Sequence, residues 1–247
     1  MKDLSVLVSS FDNYSDLWDP YFKSLFMFWP KLESRVFLIS NNLSYDDKRV
    51  KTLHFDSQNT WSQSVMSALK IIDSEYVLFS LEDFLLKENV INSKIERSLK
   101  FIKENNGVVL YLNKNRFNQV KFQPKRLYVK MNKETPYIVS TQAAIWNRRK
   151  LLEILNEKES AWEFELNGSF RVRKKMDNFY CANDNIFNYR HHSVERGKWF
   201  RSEYNYLIKN GIILNNHERK KMSYYETIIW YVKKFYGSMK YRIYKYQ

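Results

Sequence analysis

Residues 75–87 read EYVLFSLEDFLLK, and this stretch decides the fold. Tyr76, Val77, Leu78 and Phe79 form a continuous apolar run rich in β-formers, the pattern of a strand covered on both faces. The run stops on two carboxylates, Glu82 and Asp83, before Phe84-Leu85-Leu86. An acidic pair at the carboxyl end of a central strand lies where open α/β sheets bind ligands. Carboxylates there can hold a divalent cation or accept hydrogen bonds from hydroxyl groups. Acidic residues also follow strands in plain surface turns, so the pair alone is a weak signal.

The flanking chain supplies the partners for that strand. Ser5 to Ser10 reads as a first strand and Phe11 to Ser15 as a loop, with Ser15 or Asp16 as a helix cap. Apolar residues recur at helical spacing from Leu17 to Trp29, and Pro30 ends them. Arg35 to Ser40 reads as a second strand, so the chain opens strand, helix, strand, which implies parallel neighbours and a right-handed crossover. A short strand over Val50 to Phe55 and a helix from Trp61 to Ile72 lead into residues 75–87. A helix over 90–105 and a strand over Gly107 to Leu112 follow. Leu127 to Met131 suggests a hairpin, Tyr137 to Ser140 a short strand, and 147–156 a helix. No GxGxxG or GxxxxGK[ST] is present, which argues against classical dinucleotide binders and P-loop NTPases.

Residues 159–166, ESAWEFEL, allow two readings. Glu163 and Glu165 would face the same way on an extended segment and diverge on a helix. A helix with acidic residues in its first turn fits equally well.

Composition bounds the class. The 247 residues are 44% hydrophobic, enough for one full core. Five Gly and four Pro leave little room for flexible linkers. The lone Cys181 excludes an intramolecular disulfide and suits a reducing compartment. After Met1-Lys2-Asp3 the chain enters a strand at once, and no stretch has the roughly 20 apolar residues of a membrane span. The expected location is therefore cytoplasmic. A net charge of +14 with 18 Tyr, 17 Phe and seven Trp favours anionic partners and does not choose among them.

Several pieces, taken in order, resemble one known group. They are VLVSSFDNYSDLWDPYF from Val6, NTWSQSVMSALKIIDSEYVLFSLEDFLL from Asn59, STQAAIWNRRKLLEIL from Ser140, SAWEFELNGS from Ser160 and ERGKW from Glu195. The ordered set is similar to bacterial GT-A-type glycosyltransferases of capsular polysaccharide and O-antigen biosynthesis. The resemblance implies a GT-A-like, Rossmann-like mixed α/β sheet flanked by helices. It implies a nucleotide-sugar donor and a glycan or lipid-linked acceptor. On this reading Ser9, Ser10, Phe11, Asp12, Trp61 and Ser62 meet the donor. Glu82 and Asp83 occupy the place of the acidic DXD-like motif, but read Leu81-Glu82-Asp83, so Asp83 binding Mg2+ or Mn2+ and a metal-independent site both stay open. Glu165, or Glu163, would be the base of an inverting reaction, with Gln142, Trp146 and Trp162 on the acceptor. Arg196 and Lys198 would face the leaving diphosphate. His191 and His192 lack metal-ligand spacing.

The last segment, 217–247, is set apart from a catalytic domain over 1–216. It is basic, and Tyr225, Ile229, Val232, Tyr236, Met239 and Ile243 draw one apolar stripe along a helix. Such a helix suits an anionic membrane surface, with residues 222–247 peripheral on the inner leaflet. The alternative for the whole chain is a non-catalytic nucleic-acid-binding protein. The scattered basic residues and the lack of any recognised motif count against nucleic acid.

Overall fold

A computed structural model describes residues 1–114, 126–190, 193–212 and 219–233. His191, His192 and the whole segment 234–247, with Tyr236, Met239 and Ile243 of the expected stripe, lie outside the described residues.

Eight strands form one mixed sheet. They are β1 (Leu4–Ser9), β2 (Val36–Ser40), β3 (Val50–His54), β4 (Tyr76–Leu81), β6 (Val109–Tyr111), β7 (Tyr128–Lys130), β8 (Ala144–Asn147) and β9 (Phe179–Ala182). Two small antiparallel pairs join β5 (Leu85–Leu86) to β10 (Tyr189–Arg190), and β11 (Val194–Glu195) to β12 (Lys198–Trp199). The sheet order is β3-β2-β1-β4-β8-β6-β9-β7. The first four strands are parallel, and β8 enters antiparallel between β4 and β6.

The helices are α1 (Trp18–Phe28), α2 (Trp61–Ile71), α3 (Asn92–Glu104), α4 (Arg148–Ile154), α5 (Ala161–Lys175) and α6 (Arg201–Lys209). Strand alternation sorts the core into two layers. Tyr76 and Leu78 of β4 pack with α1 and α3, whereas Val77 and Phe79 pack with α2, α4 and α5. Each such side chain, fully buried, contributes roughly 1.5–3 kcal/mol. Because both faces are covered, the central strands read as unbroken apolar runs, which is why they were visible in the sequence.

Local signals set the helix ends. Thr60 caps α2: its Oγ1 accepts from Gln63 N at 3.1 Å, and Gln63 Oε1 accepts from Thr60 N at 2.8 Å. Pro20 is tolerated in the first turn of α1 because the N–H it lacks would have no helical partner there.

Three expectations from sequence fail. Neither Ser15 nor Asp16 caps α1; residues Asp12–Leu17 form a 3-10 turn and Leu17 takes the cap position without a side-chain bond. Asp16 is instead engaged by Arg219. Tyr137 to Ser140 is not a strand, because its backbone is held by α5 side chains, and the strand begins at Ala144. Tyr128–Lys130 pairs with β9 at the sheet edge rather than in a hairpin of its own.

Candidate active site

The chain leaves β1 for β2 and β3 on one side, then returns to β4 on the other. This reversal opens a crevice at the carboxyl ends of β1 and β4, the place where open α/β sheets take ligands. Ser9 to Asp12 form one lip and Glu82-Asp83 the other.

The first lip is pinned by hydrogen bonds. Trp61 Nε1 donates to Ser9 Oγ at 2.9 Å, and Trp18 Nε1 donates to Ser10 Oγ at 2.7 Å. The Asp12 carboxylate accepts from Ser40 Oγ at 2.8 Å and from the N–H groups of Asn41 at 3.0 Å, Asn42 and Leu43. Burial alone would raise the Asp12 pKa, but these donors outweigh it and hold it at about 2. Asp12 is thus a fixed anion that ties the ends of β1 and β2 together. Phe11 remains exposed and packs against Tyr14, with ring centroids 4.8 Å apart and the planes tilted by 43°. Ser62 is fully buried, with its N–H donating to Glu159 O at 3.2 Å. The resemblance placed Ser62 beside the donor; its burial on the inner face of the first turn of α2 removes it from that surface.

The second lip carries uncompensated acid. Glu82 is buried at the end of β4. Burial, and then the neighbouring Asp83 charge, push the Glu82 carboxyl well above the usual range. Asp83 moves the same way, through burial and the charge of Glu195. Among the described residues no Lys or Arg is ion-paired with either. The charge of Arg219 opposes that of Glu82, but Arg219 is committed to Asp16: Nε and Nη2 reach its two oxygens at 2.7 Å each. Arg219 also lies 4.8 Å over the Tyr14 ring. Residues beyond 218 return to the site because Trp199 N donates to Lys220 O at 2.9 Å and Met222 N to Trp199 O at 2.9 Å.

Two adjacent carboxylates supply hard oxygen donors of the kind that hold Mg2+ or Mn2+ together with water and phosphate oxygens. Their unpaired, repelling charges fit a cation. Among the described residues no three His, Cys, Asp or Glu side chains converge as a complete metal group.

A third set of residues closes the crevice from the β8 side. Because β8 runs antiparallel to β4, its start lies at β4's carboxyl end. Tyr189 O–H donates to Gln142 Oε1 at 2.6 Å, and its ring stacks on Phe84 at 4.4 Å. Burial raises the Tyr189 phenol, and the charges of Asp83 and Glu165 act in the same direction.

No known protein family and no curated protein matches the chain by sequence. Solved structures do match. The crystal structure of S. aureus TarS 1–349 in complex with UDP-GlcNAc superposes with a TM-score of 0.54 at 18% identity, over 89% of this chain and 68% of that one. The same TarS segment in complex with UDP gives 0.54 at 17% identity, over 76% and 59%. A further structure of that segment gives 0.52 at 18%, over the same shares. The fold is GT-A-like. In the latter two comparisons this chain spans 59% of the TarS segment.

In this GT-A-like frame, residues 160–169 take the helical reading. Ser160 and Glu163 form a capping box: Glu163 Oε2 accepts from Ser160 N at 2.8 Å and Ser160 Oγ at 2.7 Å. The backbone bond from Ser160 and then its hydroxyl lower the pKa of this exposed carboxyl. Two residues on, and so roughly 200° around the helix, Glu165 Oε1 accepts from Thr141 N at 2.7 Å, Thr141 Oγ1 at 2.7 Å and Ser140 Oγ at 3.0 Å. All three of these bonds end on Oε1. Gly168 makes the approach possible, since a Cβ there would meet Val139 at 3.1 Å. Ser169 Oγ accepts from Val139 N at 3.1 Å. One face of α5 therefore holds residues 139–141, and with them Glu165, at the crevice.

The remaining sequence-chosen residues scatter. Trp162 is 85% exposed on the first turn of α5. Trp146 is 1% exposed in the core, so it does not face an acceptor. It pairs with Val77 across β4 and β8, which turns its ring into the α2–α4–α5 layer. Arg196 and Gly197 form a two-residue hairpin turn with φ of 49° and 75°. The Arg196 side chain is 79% exposed, and Lys198 is ion-paired with Glu226. Arg219, Tyr14 and Tyr189 were not singled out by sequence. Arg219 sits in a run of three basic residues with nothing to mark it, and its partner lies 203 positions away.

Proposed function

We propose that the protein is a nucleotide-sugar-dependent glycosyltransferase. The observation that carries this reading is the uncompensated pair of buried Glu82 and half-buried Asp83 at the β1/β4 switch point, with the exposed Phe11 ring and the half-buried Tyr14 ring on the opposite lip. A nucleotide diphosphate matches both halves: a base for the rings, and a charged diphosphate for a cation held by the carboxylates. The GT-A-like fold supports the class. UDP and UDP-GlcNAc in the TarS crystal structures make a UDP-sugar the first donor to test.

Asp83, with Glu82, would hold Mg2+ or Mn2+, and the cation when bound neutralises the diphosphate. Arg219, whose charge acts on Glu82, replaces Arg196 and Lys198 in the reading. Glu165 is preferred over Glu163 as base, since Glu163 is spent on the helix cap. Glu165 is anchored through one oxygen and presents the other. In an inverting transfer the acceptor oxygen forms a bond to the anomeric carbon. The bond from that carbon to the diphosphate oxygen breaks, and the diphosphate leaves with the electron pair. The acceptor proton passes to Glu165. Gln142, held by Tyr189, and the exposed Trp162 line the acceptor side. The acceptor is a hydroxyl of a growing surface glycan, of the capsule or O-antigen kind that the sequence resembles.

A thermal-shift and calorimetry series with UDP, GDP, CDP, CMP and dTDP, with and without Mn2+, tests the donor class. Selective stabilisation by one diphosphate supports the proposal. A folded sample that responds to none overturns it.

A further inference from the structure

Helix 224–233 has two dissimilar sides. One side is attached. Glu226 is ion-paired with Lys198, and the Trp230 ring meets Phe200 edge to face at 4.8 Å. The other side is open: Tyr224, Tyr225, Ile228, Tyr231 and Val232 are 48–73% exposed. At 100° per residue these five fall within an arc of roughly 120°. The sequence pattern placed the stripe on Tyr225, Ile229 and Val232. The structure turns the face, because Ile229 is half-buried beside Trp230.

We infer that this exposed arc is a docking surface for a bilayer rich in anionic phospholipid. Three observations select that occupant. Tyrosines with aliphatic neighbours suit the boundary between headgroups and acyl chains. Lys220, Lys221 and Lys233 are exposed at the two ends of the helix. The sequence after Glu226 contains no acid and adds Lys234, Lys240, Arg242 and Lys245, so the charge complementarity is one-sided. No helix among the described residues is long and apolar enough to cross a membrane, so the contact is in-plane.

The attached side gives the docking a direction. Arg219 and Glu226 tie the start of the helix to the 3-10 turn and to β12, next to the crevice. A protein lying on this arc brings the carboxyl edge of the sheet near the bilayer, where a lipid-linked acceptor would be held.

The test uses the full chain and vesicles of phosphatidylcholine, alone or mixed with phosphatidylglycerol. The protein should sediment with the mixed vesicles and far less with phosphatidylcholine alone. The variant Tyr225→Ser/Ile228→Ser/Val232→Ser should lose about tenfold in vesicle partition, with an unchanged melting temperature and UDP response. Unchanged partition of that variant overturns the inference. So does equal binding to both vesicle types. Loss only in Lys240→Gln/Arg242→Gln/Lys245→Gln, with the face variant intact, assigns the contact to the tail instead. A dimer that the face variant converts to monomer, without vesicle binding by either, assigns the arc to a second copy. Vesicle binding is read without any donor, so its failure is separate from failure of the transferase reading.

Discussion

Arg219 and Asp16 stand 203 positions apart in the chain and form a bidentate ion pair, with both contacts at 2.7 Å and both side chains nearly buried. The pair locks the segment that follows residue 218 onto the turn that follows β1. It also places a guanidinium beside Glu82, whose charge it opposes.

Arg219→Ala should therefore act twice. It leaves Asp16 unpaired and nearly buried, which costs about 2–4 kcal/mol of stability. It also removes the cation whose charge opposes Glu82, so UDP affinity measured by calorimetry should fall at least tenfold. Arg219→Lys should recover little of the melting temperature, because an ammonium cannot make the two-pronged contact. Full recovery of both readouts by Lys would show that charge alone matters.

The acidic pair predicts a pH dependence of the unliganded protein. Folding raises the Glu82 pKa from 4.5 to about 8, so the native state binds more protons than the unfolded chain across that range. Stability should fall as pH rises from 4.5 through 8. Glu82→Gln should flatten the slope measured by chemical denaturation between slightly acid and slightly basic pH. Mn2+ with the cognate diphosphate should raise the melting temperature most at the basic end, where the pair is ionised. A slope that survives in both Glu82→Gln and Asp83→Asn would trace it to other groups.

Glu165 and Glu163 should separate cleanly. Glu165→Gln is expected to lower kcat by 10²–10⁴, on the order typical of a lost general base, while donor binding stays within about twofold. Glu163→Ala should keep kcat and lower the melting temperature slightly through loss of the capping box. The reverse pattern would exchange their roles.

Two tryptophans make a matched control. Trp146→Ala opens a void between β8 and the α2–α4–α5 layer and should destabilise by roughly 3–5 kcal/mol. Trp162→Ala should leave the melting temperature unchanged, given its 85% exposure, and raise the KM for acceptor without changing donor affinity. A large stability loss at Trp162 would remove it from the acceptor side.

The sequence by itself determined the parallel strands β1 to β4 and the helices between them. Runs such as Tyr76 to Phe79 are apolar because both faces of the strand are covered, and that pattern is local. Helix starts at Thr60 and Ser160 were likewise written in adjacent residues, since a capping box spans four positions. The acidic pair was visible because it interrupts an apolar run.

Only the tertiary structure decided which polar side chains remain open at the crevice. Ser62 and Trp146 carry the right chemistry, yet strand register and helix rotation bury both. Glu163 and Glu165 are two residues apart, and the helix sends one to its own cap and the other to the 140–141 turn. Arg219 reaches Asp16 because β12 pairs with residues 220–222. Such pairings depend on which distant segments pack together, and no pattern within a short window encodes that.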